Sequence, residues 1–173
     1  MLIEIFQHTP KWVFLVFAYL VWAGARQLVA NSVSLGRTTV MPVVMTGLAV
    51  FGVVSAFGDS VTALLAWAAT AAVALALVMQ RGAPAGTRYD AATRRFHLPG
   101  SAVPLLLFIA IFATKYVVAV QLALHPALRH DTVFALAVPL LYGAFTGTLV
   151  GRALRLWRLA VREDRAVAGA QSL

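Results

Sequence analysis

The residue whose chemistry stands out is Lys115, the one charged side chain in the apolar run FIAIFATKYVVAVQL (108–122). An ammonium group there can hold an anion or polar oxygen, form a Schiff base, or lock helices together by hydrogen bonds. A retinal-type Schiff base needs a carboxylate at the same level and more helices than this chain supplies, so that use is set aside. Other reactive groups are sparse. The absence of cysteine excludes disulfides, thiolate metal sites and cysteine nucleophiles. His8, His125 and His130, with Asp131, fall in loops on one side, and their spacing matches no ligand motif, so no metal is expected. None of these, nor His97, lies mid-span, which argues against haem between transmembrane histidines. The serines form no nucleophile elbow or acid–base pair, so neither an enzymatic activity nor a cofactor is expected.

The elements that position Lys115 follow from hydropathy. Hydrophobic residues make up 61% of the 173 and charged residues 12%, against ~45–50% and ~25% in soluble domains. The chain is therefore expected to be an all-α membrane protein with five transmembrane helices, at about 12–30, 39–58, 61–79, 102–124 and 132–151. Each run approaches the ~20 residues that cross a ~30 Å hydrocarbon core. The "AGA" at 23–25 imitates a signal-peptidase site, but the first segment is read as a retained span. Asp59 and Ser60 are good helix caps after a tight turn, which makes the second and third spans an antiparallel hairpin. Five crossings place eleven arginines on one side, against Lys11 and Arg129 on the other. The positive-inside rule then puts the N-terminus outside and the C-terminus in the cytoplasm. The net charge of +8 is an expression of that rule rather than a nucleic-acid footprint.

Depth along each helix brings polar residues to one layer. At 1.5 Å per residue from the outer ends, Lys115 and Thr70 lie roughly 13 Å deep, Tyr19 about 10 Å and Tyr142 about 15 Å. Pro139 is near this level and frees the carbonyl of Ala135. No carboxylate reaches the layer. Lys115 is thus expected to donate to Tyr142, Tyr19 and the freed carbonyl, or to meet a counter-ion from outside the chain: a substrate anion, a lipid headgroup or a quinone oxygen.

Three further features bear on partners. Gly143, Gly147 and Gly151 form a small-xxx-small face for close helix packing, within the chain or with a second copy, and Gly47 and Gly52 are expected to assist it. The loop 81–101 contains "TRYD" and "RRFHL" around "DAAT", which reads as a small β-hairpin against the membrane surface, or a gate or docking element. Arg152, Arg155, Arg158, Arg162 and Arg165 recur every three or four residues on a helical extension (152–165), opposite Leu154, Leu156, Trp157 and Val161. Trp157 is expected as an interfacial anchor, and the stripe either binds anionic lipid or simply fixes topology. Arg26 and Gln27 are placed to snorkel towards phosphates.

The stretches IFATKY (111–116), RYDAATRRFHLPGS (88–101) and LYGAFTGTLVGRALRLWRLA (141–160) resemble a family of small bacterial membrane proteins with no assigned activity. The resemblance covers the second half of the chain. It implies residence in the bacterial inner membrane and transfers no site residues. From the residues themselves two functions are expected. One is a transport or permeation protein, oligomeric because five helices are few, with an anion or polar ligand bound around Lys115. The other is a non-catalytic accessory or lipid-binding protein in which Lys115 is a structural lock.

Overall fold

The computed structural model describes residues 10–58 and 60–171. Five helices dominate it: α1 (Lys11–Ala25), α2 (Leu35–Phe57), α3 (Val61–Met79), α4 (Val103–Leu124) and α5 (Thr132–Gln171). Strand β1 (Asn31–Ser34) joins α1 to α2, β2 (Arg88–Asp90) and β3 (Arg95–Leu98) lie between α3 and α4, and a 3-10 turn (Pro126–His130) precedes α5. Polar side chains supply the starts of several helices. Ser34 Oγ accepts from Arg37 N, Ser60 Oγ from Ala63 N, and Asp131 Oδ1 from Phe134 N at 2.8 Å, each meeting a backbone donor that the helix leaves free. Asp59, the second expected cap for α3, and His8 lie outside the described residues.

Four helices, α2 to α5, are long and apolar enough to cross a membrane. The expected first span, 12–30, is corrected: α1 has 15 residues, about 22 Å at 1.5 Å per residue and shorter than a ~30 Å core. It stops at Ala25 because the chain turns there. Leu28 N donates to Ala25 O, Asn31 Nδ2 to Arg26 O, and Ser101 N takes Gln27 O at 2.8 Å. Leu28 to Ala30 are apolar, so hydropathy alone carries a span past this turn. The second span likewise begins at Leu35 rather than Thr39. The extension expected at 152–165 is part of one unbroken 40-residue helix that reaches Gln171. At about 60 Å, α5 outruns the bilayer core by about half its length.

The loop 81–101 does form a hairpin, and the segment after α1 adds a third strand. The sheet order is β1-β3-β2, antiparallel throughout, with Val33 and Tyr89 both opposite Phe96. Phe96 is fully buried, with the Tyr89 ring 4.9 Å away. This pairing brings the α1–α2 and α3–α4 connections to one end of the molecule. The α2–α3 turn and the 3-10 turn therefore lie at the other.

Within the bundle, α5 packs most closely on α3. A β-carbon at Gly143 would run into the Trp67 carbonyl, one at Gly147 into the Ala71 carbonyl, and one at Gly151 would lie 2.9 Å from Val78 Cβ. The glycine face is thus used inside the chain. α2 packs on α5 and touches α3 little, so the α2–α3 hairpin is splayed around α5. α1 pairs with α4, where a β-carbon on Gly24 would come within 2.8 Å of Leu105. Gly47, expected to help the packing, has nothing nearby. Exposed apolar side chains cover the outside, Leu15, Val43, Leu65 and Val133 among them.

Two predictions follow from these contacts. Gly147→Val should destabilise the purified protein by about 1–3 kcal/mol or more through overpacking, while Gly47→Ala should be neutral; detergent-resistance or thermal melting of the two variants measures this. The hairpin turn gives the second. The Thr93 hydroxyl and then the Thr93 amide hold the Asp90 carboxyl below the usual carboxylate range. Its contribution to the hairpin is present above the unfolded value of about 3.9 and is lost as pH falls through the lower folded value. A carboxyl NMR titration of Asp90 should therefore have a midpoint below that of an unfolded peptide; an equal midpoint would contradict the turn geometry.

Candidate functional site

Lys115 leaves α4 and crosses to α2 and α5. Its ammonium donates to the Leu48 carbonyl at 3.4 Å and sits over the Tyr142 ring, 4.6 Å from the centroid. The ring face attracts a cation, and Tyr142 is buried in the core with Val53, Ala63, Val118 and Val138. Gly52, one turn beyond Leu48 on α2, makes room: a β-carbon there would be 2.9 Å from Lys115 Nζ. One long hydrogen bond leaves two of the three ammonium donors for other partners.

The structure brings Lys115 and Tyr142 together, through the ring face rather than the phenolic oxygen. Tyr19 is 53% exposed and lies beside Trp22. Thr70 donates its hydroxyl to Ala66 O at 2.6 Å, and its β-carbon packs towards Gly143. Leu48, not the carbonyl expected to be freed by Pro139, is the lysine's acceptor. Sequence reasoning missed Leu48 and gave Gly52 only a packing role. Backbone acceptors carry no residue signature, and one glycine among many small residues does not announce what it faces.

The same lysine lines an apolar cleft of about 210 Å³. Val16 and Leu20 of α1, Leu48 and Ala49 of α2, Phe108 and Phe112 of α4, and Tyr142 and Phe145 of α5 contribute to its walls. Phe17 and Phe112 meet at 4.8 Å on the α1–α4 side. Thr146 also lines the cleft, but its hydroxyl is bonded to Tyr142 O of its own helix. Lys115 is therefore the charged group in an otherwise apolar lining. The cleft exists because α4 touches α5 sparingly while each holds its own close partner.

At the sheet end the expected arginine stripe divides. Arg152 and Arg155 are half-buried, and Arg155 Nη1 donates to Gly82 O at 2.9 Å. Arg158 and Arg162 are exposed. The Trp157 indole N–H donates to Thr39 Oγ1 at 2.9 Å and ties α5 to α2. Of the loop histidines, His125 and His130 are exposed, and Asp131 is used as the α5 cap.

Four apolar helices of spanning length, capped at one end by a small sheet, define a multi-pass membrane protein. The chain belongs to the DUF6622 family, a family of unknown function whose model matches residues 1–169. No curated protein and no solved structure matches it.

The seat of the lysine makes a direct prediction. Gly52→Ala should displace the flexible end of Lys115 from the Tyr142 ring and leave the fold intact. NMR of the lysine side chain should show loss of the ring-current shift on Hε with unchanged backbone signals; an unaltered Hε shift would contradict the contact.

Proposed function

We propose that this protein is a non-catalytic lipid-binding protein of the bacterial inner membrane that holds an amphiphilic molecule in the cleft beside Lys115. The observation that carries the reading is the pairing of an apolar, lipid-accessible groove with one ammonium group in its wall. Such a groove suits a hydrocarbon or isoprenoid chain. The free ammonium donors suit a carboxylate, ester or quinone oxygen on that chain. A volume of about 210 Å³ is below the ~300–1,000 Å³ typical of closed ligand pockets, so only a segment of the molecule is enclosed and the rest extends into the bilayer.

The threading we propose has the sheet end in the cytoplasm and α1 lying alongside α4 with its N-terminal end directed to the outer side. The gathering of Arg26, Arg37, Arg81, Arg88, Arg94 and Arg95 around that end supports it. Transport around Lys115 draws less support from the geometry. A permeation path needs polar groups continuing in both directions, whereas Tyr19 lies beside Trp22 and the Thr70 hydroxyl is bound within its own helix. The glycine face is occupied by α3, so assembly with a second copy has no need of it.

Native mass spectrometry of protein extracted from its own membrane tests the proposal. Wild type should retain one amphiphile per chain. Ala49→Phe, which fills the cleft, should displace it, and Lys115→Met should weaken retention about tenfold, the scale of one hydrogen bond to a charged group. Unchanged retention in both variants would refute binding in the cleft.

A further inference from the structure

A second cavity lies at the sheet end, walled by Gln27, Asn31, Ser101, Pro104, Arg152 and Arg155. It measures about 50 Å³, and no carboxylate is among the described residues that line it. The two arginines are close enough to repel each other, and Arg81 adds to the repulsion at Arg155. Like charges gathered in a half-buried crevice without an acid are costly unless an anion completes them. Two buried polar atoms of its lining residues lack partners among the described residues: Arg155 Nε, a donor, and Asn31 Oδ1, an acceptor.

We propose that this crevice is a seat for a single phosphate group. A tetrahedral phosphate offers enough acceptor oxygens to meet two guanidinium groups at once, which the forked arginine geometry favours. The volume fits one such group and little more. Two sources supply this chemistry, a phospholipid headgroup and free inorganic phosphate. The seat begins three residues beyond Leu149 on α5, about 4.5 Å along the helix from the lining of the Lys115 cleft. A phospholipid seated here would direct a chain towards that cleft, and this last point alone rests on the function proposed above. The seat itself depends only on the crevice residues.

The site differs from a generic basic stripe because it assigns binding to Arg152 and Arg155 and none to Arg158 and Arg162. Delipidated protein in detergent, presented separately with dioleoyl phosphatidylglycerol, dioleoylglycerol and inorganic phosphate, tests it by native mass spectrometry and calorimetry. Phosphatidylglycerol should bind at one per chain and dioleoylglycerol at least tenfold more weakly. Competition by millimolar inorganic phosphate would show that the free ion also fills the seat; binding of phosphatidylglycerol without such competition would identify the lipid as the source. Arg152→Gln should lower phosphatidylglycerol or phosphate affinity about tenfold, and Arg158→Gln with Arg162→Gln should leave it unchanged. Equal binding of dioleoylglycerol and phosphatidylglycerol by wild type, with no phosphate binding, would overturn the proposal without recourse to any variant. So would an equal loss in the Arg158→Gln/Arg162→Gln protein. Ala49→Phe should leave phosphate affinity unaltered, which separates failure of this site from failure of the cleft.

Discussion

The close approach of α5 to α3 along Gly143 and Gly147 is the contact on which the remaining architecture depends. Between helices in lipid, apolar burial gives no net drive, and association rests on packing and hydrogen bonds. A stretch of α5 that presents backbone to the Trp67 and Ala71 carbonyls gains that packing over several turns. Once α3 is fixed, α2 can reach α5 only on another side, and the Trp157–Thr39 hydrogen bond holds it there. α1 and α4 form their own pair through Gly24 and Leu105. The sheet ties the two groups together at one end, since β1 follows α1 and β3 leads to α4. Further from the sheet the described helices of the two groups stay apart, and the cleft is the result.

Lys115 spans that gap. A lysine at the centre of a span costs about 2.5–3.5 kcal/mol on insertion scales. A 3.4 Å hydrogen bond to Leu48 and a cation–π contact with Tyr142 offset part of it, the second by about 0.5–2 kcal/mol. The ammonium thus serves as a bridge between helix groups, and in the function proposed its other donors meet the bound molecule. The structural-lock and ligand-binding readings of this residue therefore describe one geometry rather than two.

Much of the bundle was legible in the sequence. The ends of α3 and α4, the cap at Ser60 and the glycine face all express local chemistry. Hydropathy overextends the first span because Leu28 to Ala30 are apolar, and it does not register that Asn31 and Ser101 capture the carbonyls of Arg26 and Gln27. The third strand was hidden for a related reason. "NSVS" is too short to signal a strand alone and becomes one by pairing with β3. Depth counting placed Lys115, Thr70, Tyr142 and Tyr19 at comparable levels, but a level is a plane and not a contact. Rotation of α1 and α3 about their axes decides which side each residue faces, and only tertiary packing fixes it. Arg152 and Arg155 parted from Arg158 and Arg162 because the loop at Gly82 covers one stretch of α5 and leaves the next in solvent.

In the function proposed, the cleft between the α1–α4 pair and the α2–α5 side holds one kind of molecule selected from the surrounding bilayer. Photocrosslinking in native membranes measures this directly, with p-benzoylphenylalanine placed at Phe112 in the cleft and at Leu65 on the outer, lipid-facing surface. The account predicts a single adduct mass at Phe112 and a mixture that mirrors bulk membrane composition at Leu65. The same bulk mixture at both positions would contradict it.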